Sequence, residues 1–155
     1  MIEVLVEAGA WRAEPNAARL ARAAAAATLA HEDRAAASLV ILLSDDARLT
    51  ALNGSFRGKP GPTNVLSFPA SKAAENSLGD IALAYGVCAR EAAEQGKPLA
   101  DHLRHLTAHG VLHLLGYDHM TEAEAETMEA KERAILAGLG LPDPYAPREG
   151  DHGRI

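Results

Sequence analysis

The chain opens on a loose alternation of apolar and charged positions, Ile2-Glu3-Val4-Leu5-Val6-Glu7, which predicts a half-buried strand. Pro15 then starts a helical pattern with Leu20 and Leu29 on its inward side, in alanine-rich sequence that propagates a helix and lets it pack closely. Residues 38–43, SLVILL, form a short aliphatic run and predict a central strand. Asp45 and Asp46 stand where a short helix carrying Leu49 and Leu52 needs a cap. Residues 53–62, NGSFRGKPGP, read as turn throughout. Residues 65–68 predict a strand stopped by Pro69, residues 71–77 a loop, and residues 79–84 a fourth strand. A helix is expected over 87–95, ended by Gly96, and Pro98 opens the next one, which runs to Leu115 and stops at Gly116. Thr121 and Glu124 have capping-box spacing and start a last helix through Met128, Ile135 and Leu136. From Pro142 onward the chain reads as a loop and a frayed end.

Four strands and about five helices in this order are not strictly alternating. They predict a single α+β domain, a small mixed four-stranded sheet packed by helices, over residues 1–147, with residues 148–155 a flexible tail. Hydrophobic residues at 48% and charged residues at 23% are globular proportions. Phe56 and Phe68 are the only phenylalanines, so the core is expected to be aliphatic. Cys88 is the only cysteine and reads as a small buried residue. No intrachain disulfide can form, which agrees with a reducing compartment. No signal peptide is visible, and the alanine run around residues 21–30 is broken by Arg22, so no membrane association is expected. The net charge of −6 argues against binding nucleic acid by general electrostatics, yet leaves room for a local basic groove.

The chemistry concentrates in residues 105–119, HLTAHGVLHLLGYDH. His109 and His113 are four apart, one turn on the same helix face. Gly116 ends the helix, and Tyr117-Asp118 brings the chain back so that His119 can add a third nitrogen. Three protein nitrogens and one open position describe a catalytic zinc site. His105 and His109 share the same spacing. The stop at Gly116 favours the later pair and leaves His105 beside the site or on the surface, with His102 solvated and His152 without a role. One histidine among leucines reads as a satisfied core residue. Three together would leave several buried nitrogens to be paired. A structural zinc would ordinarily complete four protein ligands, often thiolates, and Cys88 lies far off in sequence. Gly110 occupies the place where the zinc-peptidase helix carries its general-base glutamate, which counts against a peptidase. Asp118 is the nearest carboxylate in sequence, either a base or a turn residue holding a ligand imidazole.

A second group, Arg57, Lys59, Thr63, Asn64 and Ser67, surrounds the glycine- and proline-rich loop and the strand after it. Arginine offers a planar fork for phosphate oxygens and lysine a point charge, although a loop arginine is ordinarily just solvated. Asp80 is a turn residue, a partner for a histidine, or a substrate contact.

RGKPGPTNVLSFP (57–69), LGDIALA (78–84), HLTAHGVLHLLGYDH (105–119) and TEAEAETMEAKERAILAGLGLPDPY (121–145) together resemble the YbeY rRNA-maturation endoribonucleases, in order and spacing across most of the chain. The resemblance implies a metal-dependent hydrolase with His109, His113 and His119 holding one zinc ion per chain and Arg57 placed to meet substrate phosphate. It also implies single-stranded RNA as substrate, 16S rRNA or its precursor, in 3′-end maturation and ribosome quality control. Small-subunit ribosomal proteins or a ribosome-associated GTPase are the partners implied. Attack by metal-bound hydroxide and attack by an activated ribose 2′-hydroxyl both fit, and Asp118 is the candidate to orient the nucleophile. One metal is the simpler expectation, because the carboxylate cluster of a two-metal nuclease is missing. The rival readings are a non-enzymatic ribosome-assembly factor with a structural zinc and, further off, a zinc peptidase.

Overall fold

The computed structural model describes residues 1–57 (the side chains of 56 and 57 apart), 61, 63–70 and 76–146. Strand β1 (Ile2–Val6) leads through a 3-10 turn at Gly9–Ala13 into α1 (Ala17–His31). There follow β2 (Ser38–Ser44), α2 (Asp46–Arg57), β3 (Val65–Pro69), β4 (Ser77–Ala84), α3 (Tyr85–Glu94), α4 (Leu99–Leu114) and α5 (Glu122–Gly138). The sheet order is β1-β2-β4-β3. β1, β2 and β4 run parallel, and β3 pairs antiparallel to β4 with Ser67 opposite Ile81. The expected α+β architecture is the one found, among the described residues a mixed four-stranded sheet with five α-helices.

Alternation along the strands decides what each face carries. Leu39, Ile41, Leu43, Ile81 and Leu83 join α1 and α4 in the larger core. Leu66, Ala82 and Ala84 point the other way, toward Leu49 of α2 and Val87 of α3. α5 covers α4 from outside through Ala108, Leu112, Met128 and Ile135. α4 thus lies between the sheet and another helix, which explains its aliphatic sequence. Its buried Leu103, Leu106, Val111 and Leu112 each stabilise the fold by roughly 1.5–3 kcal/mol. The helix runs close to the sheet at Gly110, where a Cβ would stand 3.1 Å from Ile81 Cγ2 and 3.3 Å from Val65 Cγ2. Ser67 Oγ donates to the Gly110 carbonyl at 3.0 Å, tying β3 to α4.

Several elements differ from the sequence reading. α2 continues through Asn53, Gly54 and Ser55 to Arg57, where turn was expected. Asn53 is buried and donates Nδ2 to the Gly61 carbonyl at 3.0 Å, so tertiary anchoring overrides weak helix propensity there. Residues 58–60, 62 and 71–75 lie outside the described residues, and Ser77, assigned to a loop, already belongs to β4. The 3-10 turn before α1 was not expected. It buries Trp11, whose Nε1 donates to Ser44 O at 2.8 Å. Cys88 is buried, as expected. Among the described residues no helix is long and apolar enough to cross a membrane.

Gly79 shows how tightly β3 and β4 are joined. At φ +127° its missing Cβ would stand 2.1 Å from the Phe68 carbonyl oxygen and 2.7 Å from Ala70 N. Both are backbone atoms that cannot rotate away. Gly79→Ala is expected to cost at least about 3 kcal/mol, lowering Tm by about 6 °C or more in a thermal melt followed by circular dichroism.

Candidate metal centre

α4 closes at Gly116, whose φ of +103° suits a residue without a side chain. The Gly116 N–H donates to His113 O at 3.0 Å and the Tyr117 N–H to Leu112 O at 3.1 Å, the paired bonds of a Schellman motif. Tyr117 then packs against the Leu112 and Met128 cluster. Its hydroxyl donates to Glu32 Oε1 at 2.5 Å, and Lys131 Nζ lies 4.9 Å from its ring centre. This pins the α4–α5 connection to the end of α1. Asp118 Oδ1 accepts the His119 N–H at 2.8 Å, fixing the turn that brings His119 back. The His119 ring centre lies 5.1 Å from that of His113 and 5.6 Å from that of His109. One nitrogen from each of the three imidazoles falls within 4.8 Å of the others.

The outer nitrogens decide which atoms face inward. His113 Nδ1 lies 2.9 Å from the Tyr117 carbonyl oxygen, and His109 Nδ1 lies 3.2 Å from Glu132 Oε1. Neither oxygen can donate, so each Nδ1 carries a proton, and in its neutral form each ring presents a bare Nε2. The two Nε2 atoms stand 3.1 Å apart. Two lone pairs facing each other at that distance repel unless a proton or a metal cation lies between them. Nitrogen ligands about 2.05 Å from a tetrahedral zinc ion would be about 3.3 Å apart, so the pair is already near ligand geometry. Burial, then the neighbouring His109, lowers the His113 pKa and keeps that ring in the neutral form a metal requires. His109 and His113 are half-buried and His119 is exposed, so a fourth position would open to solvent. The residues present fit a divalent ion that accepts nitrogen donors and keeps one open site.

Behind the triad lies a layer of which the sequence reading contained only His105, as one of two alternatives. Glu132 of α5 is 1% exposed and is shared. Its Oε1 accepts the His109 Nδ1–H, while Oε2 accepts from His105 Nε2 in a short bond and from Tyr145 Oη at 2.9 Å. Burial raises its pKa, but the hydrogen bonds of His105 and His109 outweigh this and hold it at about 2. His105 is not on the surface. Burial lowers its pKa, so it donates as a neutral ring. Burial and the adjacent Glu132 push the Tyr145 phenol up, so it too keeps its proton. His102 is a correction. It was read as solvated but is fully buried, facing α3 with Nε2 2.8 Å from Glu91 Oε1. Glu91 also accepts from Asn64 Nδ2 at 3.1 Å. The segment after α5 is a loop, as read, and Tyr145 within it is packed on the site. Residues 147–155 lie outside the described residues.

A cleft of about 360 Å³ opens beside the triad, lined by Asn64, His109, His119, Met128, Glu129 and Tyr145 among others. Its described lining includes Glu91, Glu129 and Glu132 and no lysine or arginine. The surface suits a cation better than a bare phosphate. Of the other residues singled out from the sequence, Asn64 reaches this cleft, while Ser67 is committed to Gly110 O. Thr63 is half-buried at the head of β3. Asp80 is exposed and follows the register of Ala82 and Ala84, on the sheet face away from α4. Asp118 is exposed and fixes the turn. Arg57 ends α2 with its side chain outside the described residues, and Lys59 lies outside them altogether, as does the expected basic groove. Position 110 presses on Ile81 and Val65, which leaves no room for a base there.

The missed carboxylates had a sequence signal. Met128, Glu132, Ile135 and Leu136 fall on one helical face, as do Val87, Cys88 and Glu91. An acid on an apolar stripe implies a buried partner.

A family model described as Endoribonuclease YbeY matches residues 8–140. A protein of Rhodopseudomonas palustris (strain BisB5) named Endoribonuclease YbeY is 52% identical over 160 residues, covering 95% of this chain and 82% of its own length. One of the same name from Cereibacter sphaeroides is 49% identical over 165 residues, covering 94% of this chain and 98% of its own. The solution structure of TM1509 from Thermotoga maritima has the same fold, with a TM-score of 0.55 at 22% identity, covering 90% of this chain and 92% of its own.

Proposed function

The chain belongs to the YbeY endoribonuclease family, and from that membership we propose that it cuts single-stranded RNA at a centre formed by one zinc ion on His109, His113 and His119. As a family member it is an endoribonuclease, a hydrolase acting on RNA. The specific assignment is 3′-end maturation of 16S rRNA or its precursor and ribosome quality control in the cytoplasm. Small-subunit ribosomal proteins or a ribosome-associated GTPase would deliver the substrate.

The observation that carries this reading is the pair of committed Nδ1 protons, which leaves bare Nε2 atoms converging beside an exposed third imidazole. A zinc ion bound there supplies a Lewis acid and a water acidified toward neutrality. Glu132 and the Tyr117 carbonyl hold the imidazoles in orientation. Asp118 keeps one oxygen on the His119 amide and has the other to orient a water or a ribose 2′-hydroxyl. Arg57 is assigned the charge on the scissile phosphate, which the carboxylate-lined cleft would otherwise repel. The solvent-facing open position favours catalysis over a purely structural ion.

The test is cleavage of a structured RNA with a single-stranded 3′ extension, using wild type and Arg57→Ala, each with its metal content measured. Wild type is expected to hold about one zinc and cut only the extension. Arg57→Ala is expected to keep the zinc and lose about 100-fold or more in rate. Equal cutting by both proteins, or cutting within the duplex, would overturn the assignment.

A further inference from the structure

The geometry points to Tyr145 and His105 as positioning residues for the metal ligand His109, acting through Glu132; this rests on the zinc site proposed above. The connection is continuous. Tyr145 Oη and His105 Nε2 both donate to Glu132 Oε2, and Glu132 Oε1 accepts from His109 Nδ1 at 3.2 Å. The His109 contact is the longest of the three, so the other two donors fix where Oε1 lies. With either donor gone, the carboxylate can turn about its last bond. His109 then loses the partner that holds its ring plane and its tautomer.

Tyr145 is brought to this spot by a built segment. Asp143 Oδ1 accepts the Tyr145 N–H at 2.8 Å and Arg133 Nε at 3.2 Å. The Tyr145 ring stands edge-on to His105, at 5.5 Å and 87°, and the Arg133 guanidinium lies 5.4 Å from its centre. The segment after α5 is thereby coupled to the inner nitrogen of a ligand in α4. Its part is to make that nitrogen a better donor by holding the outer one in a fixed hydrogen bond.

Tyr145→Phe keeps the ring and its stacking and removes only the hydroxyl. The experiment titrates Zn²⁺ into the full chain against a competing chelator for wild type, Tyr145→Phe, Glu132→Gln, the double variant and His113→Ala, with metal-free melting curves for each. Loss of an outer partner typically weakens a metal site roughly 10–100-fold. Glu132→Gln is expected in that range, and Tyr145→Phe at roughly three- to tenfold because His105 remains. The decisive reading is the double variant, which should bind no more weakly than Glu132→Gln alone. Wild-type affinity in Tyr145→Phe would overturn the proposal while the zinc site stands. So would an undiminished Tyr145→Phe effect in the Glu132→Gln background, which would make the hydroxyl independent of Glu132. If wild type and His113→Ala bind zinc equally, the site reading itself fails and the proposal with it.

Discussion

His113→Ala is expected to lose zinc by far more than the roughly 10–100-fold that follows loss of an outer partner, and to lose RNA cleavage with it. His113 brings a bare Nε2 to 3.1 Å from that of His109, and its Nδ1 is held by the Tyr117 carbonyl. Without it only His109 and His119 remain, one of them exposed. The stability of the two proteins should separate in the same way. A ligand at about 1,000 times its Kd stabilises a fold by about 4 kcal/mol. For a chain of this size that corresponds to roughly 8–16 °C in Tm. Wild type should show that rise on adding zinc, and His113→Ala should show almost none. Without metal the difference between the two proteins is expected to shrink, because zinc no longer favours wild type. Calorimetry of both proteins with zinc and with chelator checks all four values. A wild type whose Tm ignores zinc would remove the basis for the site.

What was legible in the sequence followed from local rules. His109 and His113 could be paired because helical spacing fixes their common face, and Gly116 announced the turn that returns His119. The capping box at Thr121 and Glu124 formed as the motif specifies, with both reciprocal bonds present. What escaped depends on contacts between distant elements. His102 looks solvated beside Asp101, and only the packing of α3 on α4 turns it toward Glu91. Tyr145 sits among prolines that read as a tail, yet Asp143 and Arg133 hold it against α5. Asn53, Gly54 and Ser55 have turn chemistry by composition, but burial of Asn53 carries α2 through them. The three histidines that could hold a metal lie within eleven residues of each other, so the sequence displays them. Their support comes from α5 and the segment beyond, whose placement the histidine motif does not encode.

Glu132→Ala should be the most damaging substitution outside the ligands themselves. The carboxylate is 1% exposed and has three donors aimed at it. Its removal leaves the His105 and Tyr145 donors facing a void, and His109 without its outer partner. Breaking a buried charged network by removing one member costs about 3–5 kcal/mol, or roughly 6–20 °C in Tm for a chain of this length. The loss should appear in the metal-free protein, which separates it from an effect on zinc binding. It should also depend on pH with a definite sign. The carboxyl pKa falls from an ordinary 4.5 to about 2 on folding, so its stabilisation is fully present above pH 4.5 and fades as pH drops toward 2. His105 acts in the same direction at higher pH. Its lowered pKa means that the unfolded chain takes up the proton first, below the ordinary imidazole value of 6.5. Both proteins should therefore weaken in acid, and the gap between them should close between pH 4.5 and 2, where Glu132 itself takes up its proton. Thermal melts of the chelated proteins across that range test this. A gap that stays constant down to pH 2 would mean that the variant suffers from a cavity and not from the lost charge.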